Sequence, residues 1–195
     1  MTFSPVPTRI AALAERLPHT PRIVEATTLG TYGGDLRIAM ARARDTRLMN
    51  VYGYARLVGY DREYEIVPDI LASVDVEEGR SFTFHLRPGH KWSDGHPFTT
   101  EDFRYWWEDV ANNDELSPLG APAYMKIGDA KPVVEVIDAV TIRYTWPRAN
   151  PFFLPQLAGA APPFIYRPAH YLKPFHAKYA DPEKLKTLAE ERRMR

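Results

Sequence analysis

The stretch "FTFHLRPGHKWSDGHPFTTEDFRYWWEDV", residues 82–110, gathers side chains able to do chemistry: three histidines (His85, His90, His96), five carboxylates (Asp94, Glu101, Asp102, Glu108, Asp109) and three tryptophans (Trp92, Trp106, Trp107). A catalytic zinc helix carries two histidines at i and i+4. Here they stand five and six residues apart, interrupted by Pro88, Gly89, Asp94 and Gly95. That spacing puts His85 on the polar face of a strand and His90 and His96 in turns, which reads as surface, with no metal ligand set and no cofactor. Acid–base work needs Glu101 or Asp102 in a closed cleft with a displaced pKa. Both fall in a first helical turn, where negative charge already complements the helix dipole. Phe103, Trp106 and Trp107 at helical spacing read as core, and Trp92 packs under the turn; ligand stacking by one tryptophan is the competing reading.

A second candidate lies upstream. "RARDTR" at 42–47 places Arg42, Arg44, Asp45 and Thr46 after an expected first strand. A charge run is ordinarily a solvated face. Strand ends in α/β folds also edge ligand clefts, so these four residues are the candidate substrate-binding group. No G-x-S-x-G, Walker A or G-x-G-x-x-G occurs. "YGGD" precedes a strand where a phosphate loop would precede a helix, and no catalytic residue is assigned.

Several elements must position these residues. Ile10, Leu13, Ala14 and Leu17 predict a short helix over 8–17, stopped by Pro18 and Pro21. Gly33-Gly34 leads into a strand at about 35–41. Leu48, Val51, Tyr52 and Ala55 predict a helix closed near Gly59. Val74 and Val76 alternate with Asp75 and Glu77, Glu78-Gly79 turns the chain, and Phe82, Phe84 and Leu86 alternate with Thr83, His85 and Arg87. Pro88-Gly89 ends that strand, and "SDG" at 93–95 is a turn. Thr99 and Asp102 form a capping box. The helix behind it buries Phe103, Trp107 and Val110 at i, i+4, i+7, with Arg104, Glu108 and Asp109 on the wetter side. "VVEVIDAVTIRYTWP" is a hairpin with Val140, Ile142, Tyr144 and Trp146 on its apolar face. "NPFFLPQLA" gives a short buried helix, and Asp181-Pro182 starts a last one.

The totals are those of an ordinary soluble domain: 195 residues, 45% hydrophobic, 26% charged, with 25 Lys plus Arg balancing 25 Asp plus Glu. Zero net charge leaves no nucleic-acid surface. The 18 prolines imply fixed turns and few long helices, and the lack of cysteine excludes disulfides and thiolate chemistry. "IAALAERL" is too short and too charged for a signal peptide. No stretch approaches the ~20 apolar residues of a membrane span. Taken alone, the N-terminus predicts a cytoplasmic chain; the alternative is a signal removed or lost with a truncated gene.

The 82–110 segment closely resembles the signature of the extracellular solute-binding proteins of family 5, the peptide-, dipeptide- and nickel-binding receptors of ABC importers. Phe82, Phe84, Leu86, Arg87, Gly89, Trp92, Asp94, Gly95, Pro97, Phe98, Thr99 and Asp102 fit its pattern, and Thr100 replaces the usual alanine. "GTYGGDLRIA", "GYARLVGYDREYEIVPDILASVDVEEG", "EVIDAVTIRYTWPRANPFFL" and "PAHYLKPFHAKYADPEKL" are similar to further family segments, although Ala72-Ser73-Val74 lacks the usual Ser-Trp pair. The resemblance implies a mixed α/β fold, a partial periplasmic-binding-protein type II lobe made of the start of the first lobe and its inserted subdomain. Residues 1–28 would be an N-terminal extension, and 29–195 the N-terminal part of the domain, with the second lobe absent. It implies a periplasmic non-enzyme that holds a peptide or similar small solute and reaches the membrane only through ABC permease subunits. The signature itself would then be scaffold. The alternatives are a truncated or degenerate gene product without independent binding, and a small hydrolase using Asp94, Glu101 or Asp102 with a histidine.

Overall fold

A computed structural model describes residues 17–24, 30–31, 33–35, 37–49, 54–159 and 162–191. Its elements are β1 (Val58–Tyr60), β2 (Ile66–Pro68), β3 (Leu71–Glu77), β4 (Ser81–Leu86), α1 (Thr100–Arg104), β5 (Val133–Val136), β6 (Thr141–Thr145), α2 (Phe153–Ala158), α3 (Ala169–Leu172) and α4 (Pro182–Glu191). Short 3-10 turns cover Ala43–Met49, Ala123–Met125 and Lys173–Phe175. The fold is mixed α/β, as the sequence predicts.

Alternation drives the sheet. β3, β4, β6 and β5 lie side by side in that order, all antiparallel. Register pairs Val74 with Phe84 and Phe84 with Ile142, so the apolar residues of three strands share one face. Glu78 and Gly79 turn the β3–β4 hairpin with φ of 51° and 62°, a left-handed pair that matches strand twist. On the inner face Phe84 stacks parallel to Phe153 of α2 at 5.7 Å, and Phe153 also meets Trp146 at 4.7 Å. Phe84, Tyr144, Trp146 and Phe153 are at most 1% exposed, which makes this aromatic knot the centre of the core. The outer face is polar: His85 Nε2–H donates to Asp75 Oδ2 at 2.8 Å, and Arg143 Nε–H to Thr83 Oγ1 at 3.1 Å.

A small hairpin, β1–β2, sits beside the sheet and packs under α2. Arg56 Nη1–H donates to the carbonyls of Ala158 and Gly159 at 2.9 and 3.2 Å, closing the C-terminus of α2.

Two expectations need correction, and a third lies almost wholly outside the described residues. The strand over 35–41 is not seen: the described residues 35 and 37–40 are irregular and exposed, and Ile38 and Met40 pair with no strand among the described residues. Of the helix expected to close near Gly59, residues 50–53, Val51 and Tyr52 among them, lie outside the described residues, 54–57 are irregular, and Val58–Tyr60 is claimed by the β1–β2 pairing. Of the helix over 8–17 only Leu17 is described, in an exposed bend.

Phe84→Ala should cost about 3–5 kcal/mol, because the aromatic knot leaves a cavity it cannot fill. Val76→Ala, at a half-exposed edge position, should change stability by less than about 0.5 kcal/mol. Urea unfolding of both variants checks the contrast.

Candidate functional site

The reactive-looking segment is built around one carboxylate. Thr99 caps α1, and its N–H donates to Asp102 Oδ2 at 3.0 Å, closing the capping box. The same oxygen accepts the indole Nε1–H of Trp92, also at 3.0 Å. The other oxygen, Oδ1, accepts the backbone N–H of Ala169 at 2.9 Å, at the start of α3. Asp102 is 2% exposed. Its lone pairs are spent on scaffold, so it has no free face to offer a substrate.

The histidines are scattered. His85 lies on the outer sheet face, hydrogen-bonded to Asp75. His90 is half-buried at the edge of Phe98, and burial, then the nearby Arg87 charge, push its imidazole below the ordinary value. His96 stacks flat on His170, ring centres 3.8 Å apart and 3° from parallel. His170 Nε2–H donates to Asp94 Oδ2 at 2.7 Å. That bond, and next the His96 backbone N–H, hold the Asp94 carboxyl below the ordinary carboxylate range. Among the described residues, no three His, Asp or Glu side chains are placed to share a metal ion.

The helix after the cap departs from the expected spacing. Tyr105–Ala111 winds as a π-helix, and Asn112 N–H reaches back to the carbonyl of Trp107 at 3.1 Å. The wider turn buries Trp106, Trp107 and Ala111 together and leaves Val110 half-buried. It also swings Asp109 inward to 3% exposure, whereas α-helical spacing places it on the wet side. Lys178 Nζ and Tyr179 OH donate to Asp109 Oδ1 and Oδ2, each at 2.6 Å, and Arg104 Nη2 lies 3.2 Å from Oδ2. Burial alone would push this carboxyl up. The Lys178 and Tyr179 hydrogen bonds and the Arg104 charge outweigh it and hold the group below the ordinary range. Arg104 and Lys173 do the same for Glu101 against its partial burial. Sequence reading missed Lys173, Lys178 and Tyr179 as partners; the only signal was a cationic, aromatic "LKPFHAKYA" some 70 residues downstream of its acidic counterpart.

Arg44, Asp45 and Thr46 lie on the 3-10 turn and Arg42 just before it, with Asp45 half-buried and the others exposed. Asp45 Oδ2 accepts the Arg42 N–H at 3.1 Å, and Thr46 Oγ1–H donates to the Ala43 carbonyl at 2.9 Å. The turn is preceded by irregular chain, so the strand-end argument for a cleft does not apply to it.

A capped helix, an antiparallel sheet and a carboxylate spent on structure make this segment a scaffold. The family model for bacterial extracellular solute-binding proteins, family 5 Middle, matches residues 65–190, and the chain belongs to this family. A periplasmic alpha-galactoside-binding protein of Rhizobium meliloti is 36% identical over 119 residues, covering 60% of this chain and 17% of that protein. The periplasmic oligopeptide-binding protein OppA of Escherichia coli is 34% identical over 71 residues, 36% of this chain and 13% of that one. Among solved structures, an oligopeptide-binding protein OppA superposes with a TM-score of 0.70 at 32% identity over 95% of this chain and 28% of its own. MelB of Agrobacterium fabrum, in complex with stachyose, matches with a TM-score of 0.53 at 30% identity over 69% of this chain and 21% of its own. The chain thus matches between about an eighth and about a quarter of these relatives' length.

Asp102→Ala should cost about 3–5 kcal/mol, since one buried and two partly buried N–H donors lose their acceptor. Trp92→Phe removes one donor and should cost about 1–2 kcal/mol. Denaturant titration checks both. Asp94, Glu101 and Asp109 all have depressed carboxyl pKa values, so each stabilises the fold above the unfolded range of about 3.9–4.3. That stability is lost as pH falls through the lower folded values. Unfolding free energy should therefore begin to decline below about pH 6.5, where His90 is held below its ordinary value, and fall further below about 4 as the three carboxylates protonate. Lys178→Met, by letting the Asp109 carboxyl rise, should shrink that acid-linked loss, as urea titrations at both ends of the range would record.

Proposed function

We propose that this chain is part of the substrate-binding component of an ABC-type importer and holds solute without covalent chemistry. The observation that carries the reading is the 0.70 TM-score match to OppA over 95% of the chain at 32% identity. The side-chain geometry supports it: Asp102 is fully used by the scaffold and Glu101 is ion-paired to Arg104 and Lys173. Asp94 is tied to His170. A hydrolase built on Asp94, Glu101 or Asp102 would have to break those contacts first.

A peptide is the preferred solute, held by main-chain hydrogen bonds and side-chain pockets, with Arg42, Arg44, Asp45 and Thr46 as its contacts. The working protein is periplasmic and meets the membrane through its permease. Residues 29–195 form the binding-protein part and 1–28 an extension. A second reading, an oligosaccharide, is favoured by the 36% identity to an alpha-galactoside-binding protein.

Thermal melting with a pooled di- to pentapeptide library, and separately with stachyose, tests both. A ligand at 100 times its Kd contributes about 2.7 kcal/mol, which raises the Tm of a domain this size by roughly 5–11 °C. A rise with peptides that the double variant Arg42→Ala/Arg44→Ala abolishes supports the peptide reading and its contacts. A rise with stachyose alone moves the reading to oligosaccharides. A cooperative melt indifferent to both overturns independent binding by this chain.

A further inference from the structure

The last helix, α4, has ten residues and buries none of them. Isolated helices shorter than about 12–15 residues are marginal in water, so a helix this short needs a neighbour to cover one face. A groove of about 950 Å³ runs along α4. Lys184, Thr187, Leu188 and Glu191 line it at i, i+3, i+4 and i+7, the spacing of a single helix face. The facing wall is α3 and the 3-10 turn after it, with His170, Pro174 and Phe175.

The lining sets what can fill this groove. Pro174, Phe175, Ala180 and Leu188 make it partly apolar. Of its cationic side chains, Lys173 is already paired with Glu101, and His170 is bonded to Asp94. That leaves Asp181, Glu183 and Glu191 in the lining against one ammonium, Lys184. The complementary occupant has an apolar stripe and an excess of positive charge.

The chain itself carries that segment. Residues 1–16 lie outside the described residues. In the sequence Ile10, Leu13 and Ala14 make an apolar stripe that continues to Leu17, and Arg9 and Arg16 outnumber Glu15. At 1.5 Å per residue, two arginines seven positions apart on a helix are separated by about 10 Å, and two glutamates eight apart, as Glu183 and Glu191 are, by about 12 Å. The described chain brings the segment to the groove. His19 N–H donates to the Pro88 carbonyl at 3.3 Å, and its ring lies against Gly89. Gly89 is three residues from Trp92, whose ring centre is 6.4 Å from that of His170 on the groove wall.

We propose that residues 8–16 of this same chain dock in the groove as an amphipathic helix. Ile10, Leu13 and Ala14 lie against Phe175 and Leu188, and Arg9 and Arg16 pair with Glu183 and Glu191. The N-terminal segment then covers α4. The docking involves no solute, so it stands apart from the solute-binding reading.

The chain has no cysteine, so a nitroxide on an Ala12→Cys variant of the full chain labels one site, off the apolar stripe. The readout is the 1H–15N signal intensity of the Lys184, Thr187 and Leu188 amides, against the same sample with the label reduced. These amides should lose most of their intensity. Glu183→Lys/Glu191→Lys should restore it, and adding Arg9→Glu/Arg16→Glu should bring the loss back. Arg9→Glu/Arg16→Glu alone, which leaves the groove intact, should also restore intensity and keeps the test open should the groove variant fold poorly. Absence of any loss, or a loss untouched by the charge reversals, would overturn the docking. An equal loss when labelled chain without 15N is mixed with unlabelled 15N chain would assign the groove to a second copy and overturn it as well.

Discussion

One buried carboxylate holds the signature together. Asp102 accepts three N–H groups, from the Trp92 indole, the Thr99 backbone and the Ala169 backbone. Those donors come from the Asp-Gly turn region, the helix cap and the chain that returns after α2. A buried charge is tolerable only when its lone pairs are filled, and here the filling groups belong to three separate stretches. The turn, the cap and the return segment are therefore fixed relative to one another by a single side chain. The Trp92 ring, pinned by this bond, packs on Phe98 and Tyr166 and carries the constraint into the core.

Residues that would be reactive in an open cleft are used here to keep loops rigid: Asp94 holds α3 through His170, Glu101 gathers Arg104 and Lys173, and Asp109 gathers Lys178 and Tyr179. Rigid support of this kind keeps a surface preordered, and a preordered surface loses less entropy on meeting any ligand.

Much of this was legible in the sequence, and the legible part was local. The β4 and β6 strands announced themselves by alternation, and Phe82, Phe84, Ile142, Tyr144 and Trp146 are all buried. The Thr99–Asp102 cap and the Asp94-Gly95 turn needed only three or four residues of context. What was illegible depended on distant chain. The Ala169 donor to Asp102 and the Tyr179 donor to Asp109 sit 67 and 70 residues away. The π-turn at Tyr105–Ala111 shifts spacing by one residue per turn, which no α-helical pattern anticipates, and so Asp109 was placed on the wrong face. The strand at 35–41 has strand-like composition but no partner among the described residues. The Arg42–Thr46 turn was found as a charge run, while its conformation was not.

The three-way contact at Asp102 also sets an order of events during synthesis. Trp92 and Thr99 leave the ribosome before Asp102, so two of its hydrogen bonds can close at once. The third waits for Ala169, 67 residues later, which at about 5–20 residues per second is roughly 3–13 s of translation. Through that interval the β3–β4 hairpin and the cap can already be in place, but Asp102 Oδ1 is left to water and the aromatic faces of Trp92 and Phe98 lack Tyr166. The nascent chain is thus a half-latched structure whose last donor follows its acceptor by 67 residues.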